Sequence, residues 1–124
     1  NIRVTSIIGK YLEHARIYYF KNASPQIYFA SADLMPRNLE RRIEIMTPAI
    51  NEQVAERLFG ILKLQLDDDT QASELQADGT YTHLDGAKNI NSQKMFEEIV
   101  NSESRLDKEN NRMKKLAQRM LKES

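Results

Sequence analysis

The sequence predicts an α/β domain followed by a charged C-terminal helix. Strand-favouring runs alternate with turns through residues 2–46, an apolar stripe at helical spacing follows, and residues 92–124 are typical of a helix. The chain has 124 residues, of which 40% are apolar and 29% charged. This is enough apolar material for one core and argues against a wholly disordered chain.

The first predicted strand is Ile2–Ile8, which alternates in part, is rich in Ile and Val and is ended by Gly9. A β-hairpin is predicted next. The runs Ala15–Phe20 and Gln26–Ala32 favour strands, and they flank Asn22–Pro25, whose residues are typical of a turn.

The length of the hairpin loop sets which residues face each other. A four-residue loop would place Arg16 opposite Ser31 and His14 opposite Asp33. We therefore expect an imidazole, a guanidinium, a hydroxyl and a carboxylate to gather at one end of the sheet. A bulge or a shifted turn would change this register.

The middle of the chain is predicted to form a loop, a strand and a helix. Met35–Asn38 is the loop, and the alternation over Arg41–Met46 predicts the strand. Thr47-Pro48 is expected to begin the helix, because Pro is tolerated in the first turn. Apolar residues recur at three- and four-residue spacing along that helix. They are Ile50, Val54, Leu58, Ile61, Leu62 and Leu66.

The run Asp67–Asp69 is expected to lie past the end of this helix, because acidic groups oppose the dipole at a helix C-terminus. We interpret the run as solvated. Residues 77–80 are typical of a turn, and Tyr81–His83 is predicted to be a short strand.

The last part of the chain divides into a linker, Asp85–Asn91, and a helix from Ser92 onward. Two domains follow from this division, residues 1–86 and residues 87–124. Apolar residues recur every seven positions along the helix, but the intervening seam positions are polar, so a surface helix is favoured over a coiled coil. The heptad residues are Ile99, Leu106, Met113 and Met120.

Charge and composition exclude several classes of protein. Eighteen basic and eighteen acidic residues cancel, which argues against a generally basic nucleic-acid binder. The absence of Cys excludes disulfides and thiolate metal sites and fits a reducing compartment. No apolar run approaches the length of roughly 18 residues that a membrane span requires. We expect a cytoplasmic location, with the inner face of the membrane as the alternative.

The grouping of His14, Arg16, Ser31 and Asp33 would suit phosphoryl transfer. A carboxylate near an imidazole raises its pKa and fixes its tautomer, so that the histidine can give or take a proton. An Arg guanidinium binds two phosphate oxygens at once. The alternative from the residues alone is a structural histidine at a strand end.

Other sites have little support. The four glycines are scattered, so there is no glycine-rich phosphate loop, and no pair of histidines has the spacing of a zinc site. Asp67–Asp69 lacks the further ligands of a calcium loop. His83, beside a turn, is expected to be an ordinary surface residue.

Two long strings give the sequence a family resemblance. The strings are residues 1–20, in which residues 12–20 match the pattern L-E-H-S-R-I-Y-Y-F, and residues 31–44, which with Ala30 match S-S-A-D-W-M-P-R-N-L-D-R-R-I-E. Leu75–Tyr81 resembles the segment E-L-Q-P-D-G-S-Y, and Asn91-Ser92-Gln93 resembles a short element near the end of the same family. The chain thus resembles the C-terminal catalytic domain of bacterial polyphosphate kinase, in the histidine-phosphorylated class.

The resemblance also has departures. Ala15, Leu34 and Glu40 replace the usual Ser, Trp and Asp. That family is in turn similar to phospholipase D-like domains, whose motifs are H-x-K-x4-D and G-S-x-N. His14-Ala15-Arg16 and Ala30–Asp33 occupy those positions, whereas Lys21 occupies the Asp position. The resemblance therefore implies a divergent phospholipase D-like α/β sandwich with the motif strands central.

The activity that the resemblance implies is ATP + (phosphate)n ⇌ ADP + (phosphate)n+1 with Mg2+, through a phosphohistidine outside this chain. It implies that His14 is a second site histidine that contacts the nucleotide phosphates and acts as general acid or base. Arg16, Arg37, Arg41 and Arg42 are the candidates for holding the polyanion. If Arg41 and Arg42 lie on a strand, at most one of them faces the site.

Ser31, Asp33 and Asn38 complete the implied phosphate-binding set. We expect Mg2+ ligands mostly outside this chain and assign none within it. The expected partners are ATP, inorganic polyphosphate, the remaining domains of the same polypeptide and other copies in a homo-oligomer, with no specific nucleic acid. The chain alone is expected to be inactive. The alternatives are a non-catalytic module that binds polyphosphate or nucleic acid, and a structural role for the last helix in oligomerisation.

Overall fold

A computed structural model describes residues 2–123, with side chains for residues 2–113 and 115. It is a mixed α/β structure with a long C-terminal helix, as the sequence predicts. The elements in chain order are β1 (Thr5–Ile7), β2 (Ile17–Tyr19), β3 (Ile27–Ala30), α1 (Pro36–Arg41), β4 (Met46–Pro48), α2 (Glu52–Asp67), β5 (Ala72–Leu75), β6 (Tyr81–His83) and α3 (Ser92–Glu123).

One three-stranded antiparallel sheet has the order β2-β3-β4. The predicted hairpin is confirmed, but its predicted register is wrong by one residue. Ile17 pairs with Phe29, and the amide of Ala30 donates to the carbonyl of Arg16. Because the amide of Phe20 closes the hairpin on the carbonyl of Gln26, the loop has five residues instead of four. Arg16 is therefore opposite Ala30 and not Ser31.

The segment after the hairpin differs from its prediction. Pro36 begins α1 where a loop was predicted, since its missing N–H costs nothing in the first turn. The prediction of a strand over Arg41–Met46 is wrong, except that Met46 does lie in a strand. Arg41 ends α1, and the strand β4 begins at Met46.

The helix predicted to begin at Thr47-Pro48 begins later, at Glu52. Pro48 instead ends β4, an edge strand, where a residue without an N–H is tolerated. Asn51 caps α2, and its side chain accepts a hydrogen bond from the amide of Val54 at 3.1 Å. The helix α2 packs on β2 and β3, where the rings of Tyr19 and Phe59 meet edge to face.

A second antiparallel sheet has the order β1-β5-β6. The strand β5 was not predicted, whereas β6 and the turn before it are confirmed. Gly79 has φ +86°, a conformation that side chains rarely adopt, so glycine suits this turn. The amide of Thr80 donates to Asp78 at 2.9 Å and closes the turn.

The acidic run after α2 is not solvated as predicted. Asp68 is 1% exposed, and its carboxylate accepts from the amides of Thr70, Gln71 and Ser92 and from the Ser92 hydroxyl, at 2.7–3.2 Å. Asp69 is also buried. Its carboxylate accepts hydrogen bonds from the amide of Lys88 and, at 2.7 Å, from the amide of Ile90. Burial alone would raise the pKa of Asp69, but these hydrogen bonds hold it below the ordinary value.

The helix α3 confirms the prediction of a helix from Ser92. Arg57 on α2 forms an ion pair with Glu103 on α3 at 3.1 Å. Of the heptad residues, Leu106 and Met113 are exposed, and Met120 lies outside the described side chains. The division into domains at residue 86 stays a prediction. None of the helices in the described part of the chain is long and apolar enough to cross a membrane.

Few large apolar side chains are buried in the described part of the chain. The buried apolar residues are Ile27, Ala32, Ala49 and Ala72. By contrast Ile43 is 99% exposed and Ile50 is 84% exposed. Apolar surface of this extent is typical of a face that packs against further protein.

The Asp68 contacts predict a local loss of stability. In the full-length protein, Asp68→Ala should speed amide hydrogen exchange over residues 69–95 by about 10-fold or more, since a hydrogen bond to a charged group contributes about 1.5–3 kcal/mol. Asp67→Ala is the matched control, because Asp67 pairs only with the exposed Lys63 in the described structure. Equal effects of the two variants would contradict this account.

Candidate functional site

The predicted site residues lie at one end of the β2-β3-β4 sheet. His14 and Arg16 come directly before β2, and Ser31 and Asp33 come directly after β3. Because the two strands are antiparallel, these ends meet. The helix α1, which follows Asp33, places further basic residues near the same end.

Arg16 and Asp33 form the central contact of the site. The Arg16 Nε atom donates to the Asp33 Oδ1 atom at 2.7 Å. This contact lowers the pKa of Asp33 below its ordinary value, and the charges of His14 and Arg37 lower it further. The same contact raises the pKa of Arg16. The sequence predicted Asp33 opposite His14 and Arg16 opposite Ser31, whereas the structure pairs Arg16 with Asp33.

His14 is exposed and lies in a segment that has no regular secondary structure. Its charge acts on Asp33, so the imidazole and the carboxylate share one electrostatic environment. An exposed imidazole beside a carboxylate and a guanidinium is free to exchange protons with a bound molecule.

Ser31 makes a different contact from the one predicted. Its hydroxyl donates to the Glu44 carboxylate and accepts from the amide of Ile45 at 3.0 Å. Glu44 also helps to raise the pKa of Arg16. Sequence reasoning missed Glu44, although it stands at the end of the matched string R-R-I-E.

The helix α1 carries three of the other predicted residues, and the fourth directly follows it. Asn38 is 4% exposed, and its side-chain amide donates to the backbone carbonyl of Asp33 at 3.3 Å. Arg37, Arg41 and Arg42 are exposed and form no ion pair within the described part of the chain. Arg41 ends the helix and Arg42 caps it, so the expectation of alternating strand faces does not apply.

Arg16, His14 and Arg37 all act on the Asp33 carboxylate through their charges, so an imidazole and two guanidinium groups lie near it. Arg16 uses its Nε atom on Asp33, which leaves its two Nη groups for another acceptor. Among the described residues, no group of three or more His, Cys, Asp or Glu side chains could hold a metal ion.

Comparison with known proteins identifies the family. The profile described as polyphosphate kinase C-terminal domain 2 matches residues 1–94. The chain belongs to this family, so the resemblance seen in the sequence is confirmed. The helix beyond residue 94 lies outside the match.

The relatives are polyphosphate kinases. A polyphosphate kinase of Campylobacter jejuni subsp. doylei is 46% identical over 128 residues, covering 100% of this chain and 18% of that protein. One of Helicobacter pylori strain J99 is 55% identical over 98 residues, covering 78% of this chain and 14% of that protein. The chain thus spans less than a fifth of the length of these relatives.

A solved structure supports the fold. The crystal structure of polyphosphate kinase from Porphyromonas gingivalis superposes with a TM-score of 0.73 at 30% identity, covering 86% of this chain and 17% of that one. The predicted α/β class is confirmed by this match, whereas the phospholipase D-like resemblance stays a prediction.

The Arg16–Asp33 contact predicts a pH dependence of stability. Because folding lowers the pKa of Asp33, its contribution to stability is present above the ordinary value of 3.8 and is lost as the pH falls below it. The melting temperature of the Asp33→Asn variant should lie slightly below that of the natural protein near neutral pH, and the difference should shrink as the pH falls below 3.8. Asp107→Asn, exposed on α3, is the control. A difference that persists at low pH would contradict this assignment.

Proposed function

We propose that this chain is the C-terminal part of an ATP:polyphosphate phosphotransferase. The reaction is the reversible transfer of the terminal phosphate of ATP to inorganic polyphosphate, through a phosphohistidine located outside this chain. The observation that carries the proposal is the Arg16–Asp33 pair beside the exposed His14, in a chain that belongs to the polyphosphate kinase family.

His14 is the proposed catalytic residue. Its imidazole contacts the nucleotide phosphates, donates a proton to the departing oxygen when the phosphohistidine forms, and accepts it back in the reverse step. This division of roles needs no nucleophile within the chain itself.

The phosphate-binding residues act through charge and geometry. Asp33 orients the Arg16 guanidinium by accepting a hydrogen bond from the Nε atom. The two Nη groups of Arg16 then serve as donors to phosphate oxygens. Arg37, Arg41 and Arg42 add positive charge, and Ser31 and Asn38 support the loop between β3 and α1. Charge stabilisation of this kind supplies most of the catalysis in phosphoryl transfer.

Mg2+ enters this proposal only with ATP. When bound, it would neutralise charge on the nucleotide phosphates. Its protein ligands are assigned to the part of the polypeptide outside this chain.

The remaining domains of the same polypeptide are the proposed partners of the exposed apolar surface. Side chains such as Ile43 and Ile50 would lose contact with water when these domains pack on the chain. The chain alone is therefore expected to be inactive. Homo-oligomerisation, a cytoplasmic location and the phospholipase D-like ancestry are parts of the proposal that rest on the family resemblance.

The second candidate function is a module that binds a polyanion without taking part in the chemistry. The exposed, unpaired guanidinium groups of Arg37, Arg41 and Arg42 favour it within the described structure. The two candidates differ in what a loss of His14 would do to turnover and to binding.

The full-length enzyme provides the test. His14→Ala should lower kcat by about 100-fold or more if His14 acts as general acid and base. His83→Ala is the matched control, because His83 is the other histidine of the chain and lies exposed on β6. It should leave kcat unchanged. A His14→Ala variant that retains kcat and only binds polyphosphate more weakly would support the binding module instead.

A further inference from the structure

The element Asn91-Ser92-Gln93 has no part in the function proposed so far. Gln93, in the first turn of α3, is only 5% exposed, which is unusual for a glutamine. A buried amide must find partners for both its oxygen and its nitrogen. Those partners show what Gln93 does.

The Gln93 side chain binds the segment directly before His14. Its Oε1 atom accepts from the amide of Tyr11 at 2.9 Å, and its Nε2 atom donates to the carbonyl of Tyr11 at 2.8 Å. The Nε2 atom also donates to the Glu13 carboxylate at 2.7 Å. Gln93 thus holds both backbone polar groups of Tyr11, as a neighbouring strand would.

The other carboxylate oxygen of Glu13 is held as well. It accepts from the side-chain amide of Gln65 on α2 at 2.8 Å. The neighbour of His14 is therefore fixed between two helices. Gly9 allows the chain to approach this closely, since a Cβ atom there would lie 2.6 Å from the Gln93 Oε1 atom.

The position of Gln93 is itself fixed by the contacts of its neighbours on α3. The preceding residue, Ser92, gives both its amide and its hydroxyl to the buried carboxylate of Asp68 at 2.7 Å. One turn further along α3, Glu97 pairs with Lys10 at 2.7 Å. Hydrogen bonds and an ion pair thus attach residues 10–13 to the first turns of α3.

We infer that Gln93 is a positioning residue for His14 and sets where the imidazole stands relative to the bound phosphates. The inference rests on the proposed function of His14. Residues 11–16 have no strand or helix of their own, so the Gln93 hydrogen bonds replace the backbone pairing that would otherwise fix them. A misplacement of about 1 Å at a reacting group can cost 100-fold in rate.

The test compares five variants of the full-length enzyme by kcat and by KM for ATP. Gln93→Glu keeps the side-chain shape and the acceptor for the Tyr11 amide, but it removes the donor to the Tyr11 carbonyl and to Glu13 and sets two carboxylates against each other. It should lower kcat by about 10-fold or more, while KM changes by less than about threefold. Adding Glu13→Gln to Gln93→Glu restores a donor between the two positions and removes the carboxylate repulsion, although the Tyr11 carbonyl stays without its donor, so this double variant should recover part of kcat. Glu13→Gln alone leaves one of the two amide donors, on Gln65 or on Gln93, without its acceptor and should lower kcat by less than Gln93→Glu does.

Two further variants keep the outcomes distinct. Gln53→Glu, on the exposed surface of α2, is the control for the added charge and should leave kcat unchanged. His14→Ala tests the proposed function separately. If His14→Ala retains kcat, the proposed function fails. If His14→Ala is inactive but Gln93→Glu has normal kcat, or is not rescued by Glu13→Gln, only the positioning role is overturned.

Folding of each variant is verified by hydrogen exchange outside residues 9–16. If Gln93→Glu does not fold, Gln93→Met, of similar length but without polar atoms, takes its place. Normal kcat in that variant would overturn the inference, and a lowered kcat with normal exchange elsewhere would support it.

Discussion

The buried carboxylate of Asp68 is the interaction on which the rest of the structure depends. Four donors from two separate parts of the chain meet on it, so it joins the end of α2 to the start of α3. A charge in this place would be costly without partners, and with them it holds each segment in one arrangement. The neighbouring Asp69 binds the loop between β6 and α3 in the same way. Asp68 and Asp69 thus connect the end of α2 to the segment that leads into α3, whereas Asp67 pairs with Lys63.

The contacts of Asp68 influence the position of the candidate site through a series of hydrogen bonds. Asp68 fixes Ser92, Gln93 fixes Tyr11 and Glu13, and these residues precede His14. On the opposite side of the site, the hairpin brings Asp33 to Arg16, and Asn38 fixes the backbone at Asp33. His14 is exposed and Arg16 is half-buried. The buried side chains of Gln93 and Asn38 bind the backbone at Tyr11 and at Asp33, so the site combines access for a ligand with buried support.

The sequence predicts the class of fold and the composition of the site, because both depend on local patterns. Strand-favouring runs, the Gly79 turn and the apolar stripe of α2 are local, and so is the approach of the two hairpin ends. The failures have physical causes. Either Pro36 or Pro48 could stand in the first turn of a helix. Pro48 does not, because it lies in β4, which pairs with β3. The register of the hairpin depends on one extra loop residue, which no pattern in the sequence specifies.

The long-range polar contacts could not be predicted. An Asp after a helix and a Gln in the first turn of another are ordinary surface residues by composition. Their burial follows only from tertiary contacts across 24 and 82 residues of chain. The family resemblance included Gln93 and Glu44 in its matched strings, but a match gives no role to a residue. The contacts in the structure give that role.

The central claim is that the end of the β2-β3-β4 sheet binds phosphate. Calorimetric titration of the full-length protein with polyphosphate at two salt concentrations tests it most directly. The account predicts that an Arg16→Ala, Arg37→Ala double variant binds about 10-fold more weakly or worse and depends less on salt, because charge-assisted contacts to phosphate are lost. An Arg3→Ala, Arg57→Ala double variant, which removes two arginines whose described ion pairs are elsewhere, should bind normally. Equal affinities of the two double variants would contradict the claim.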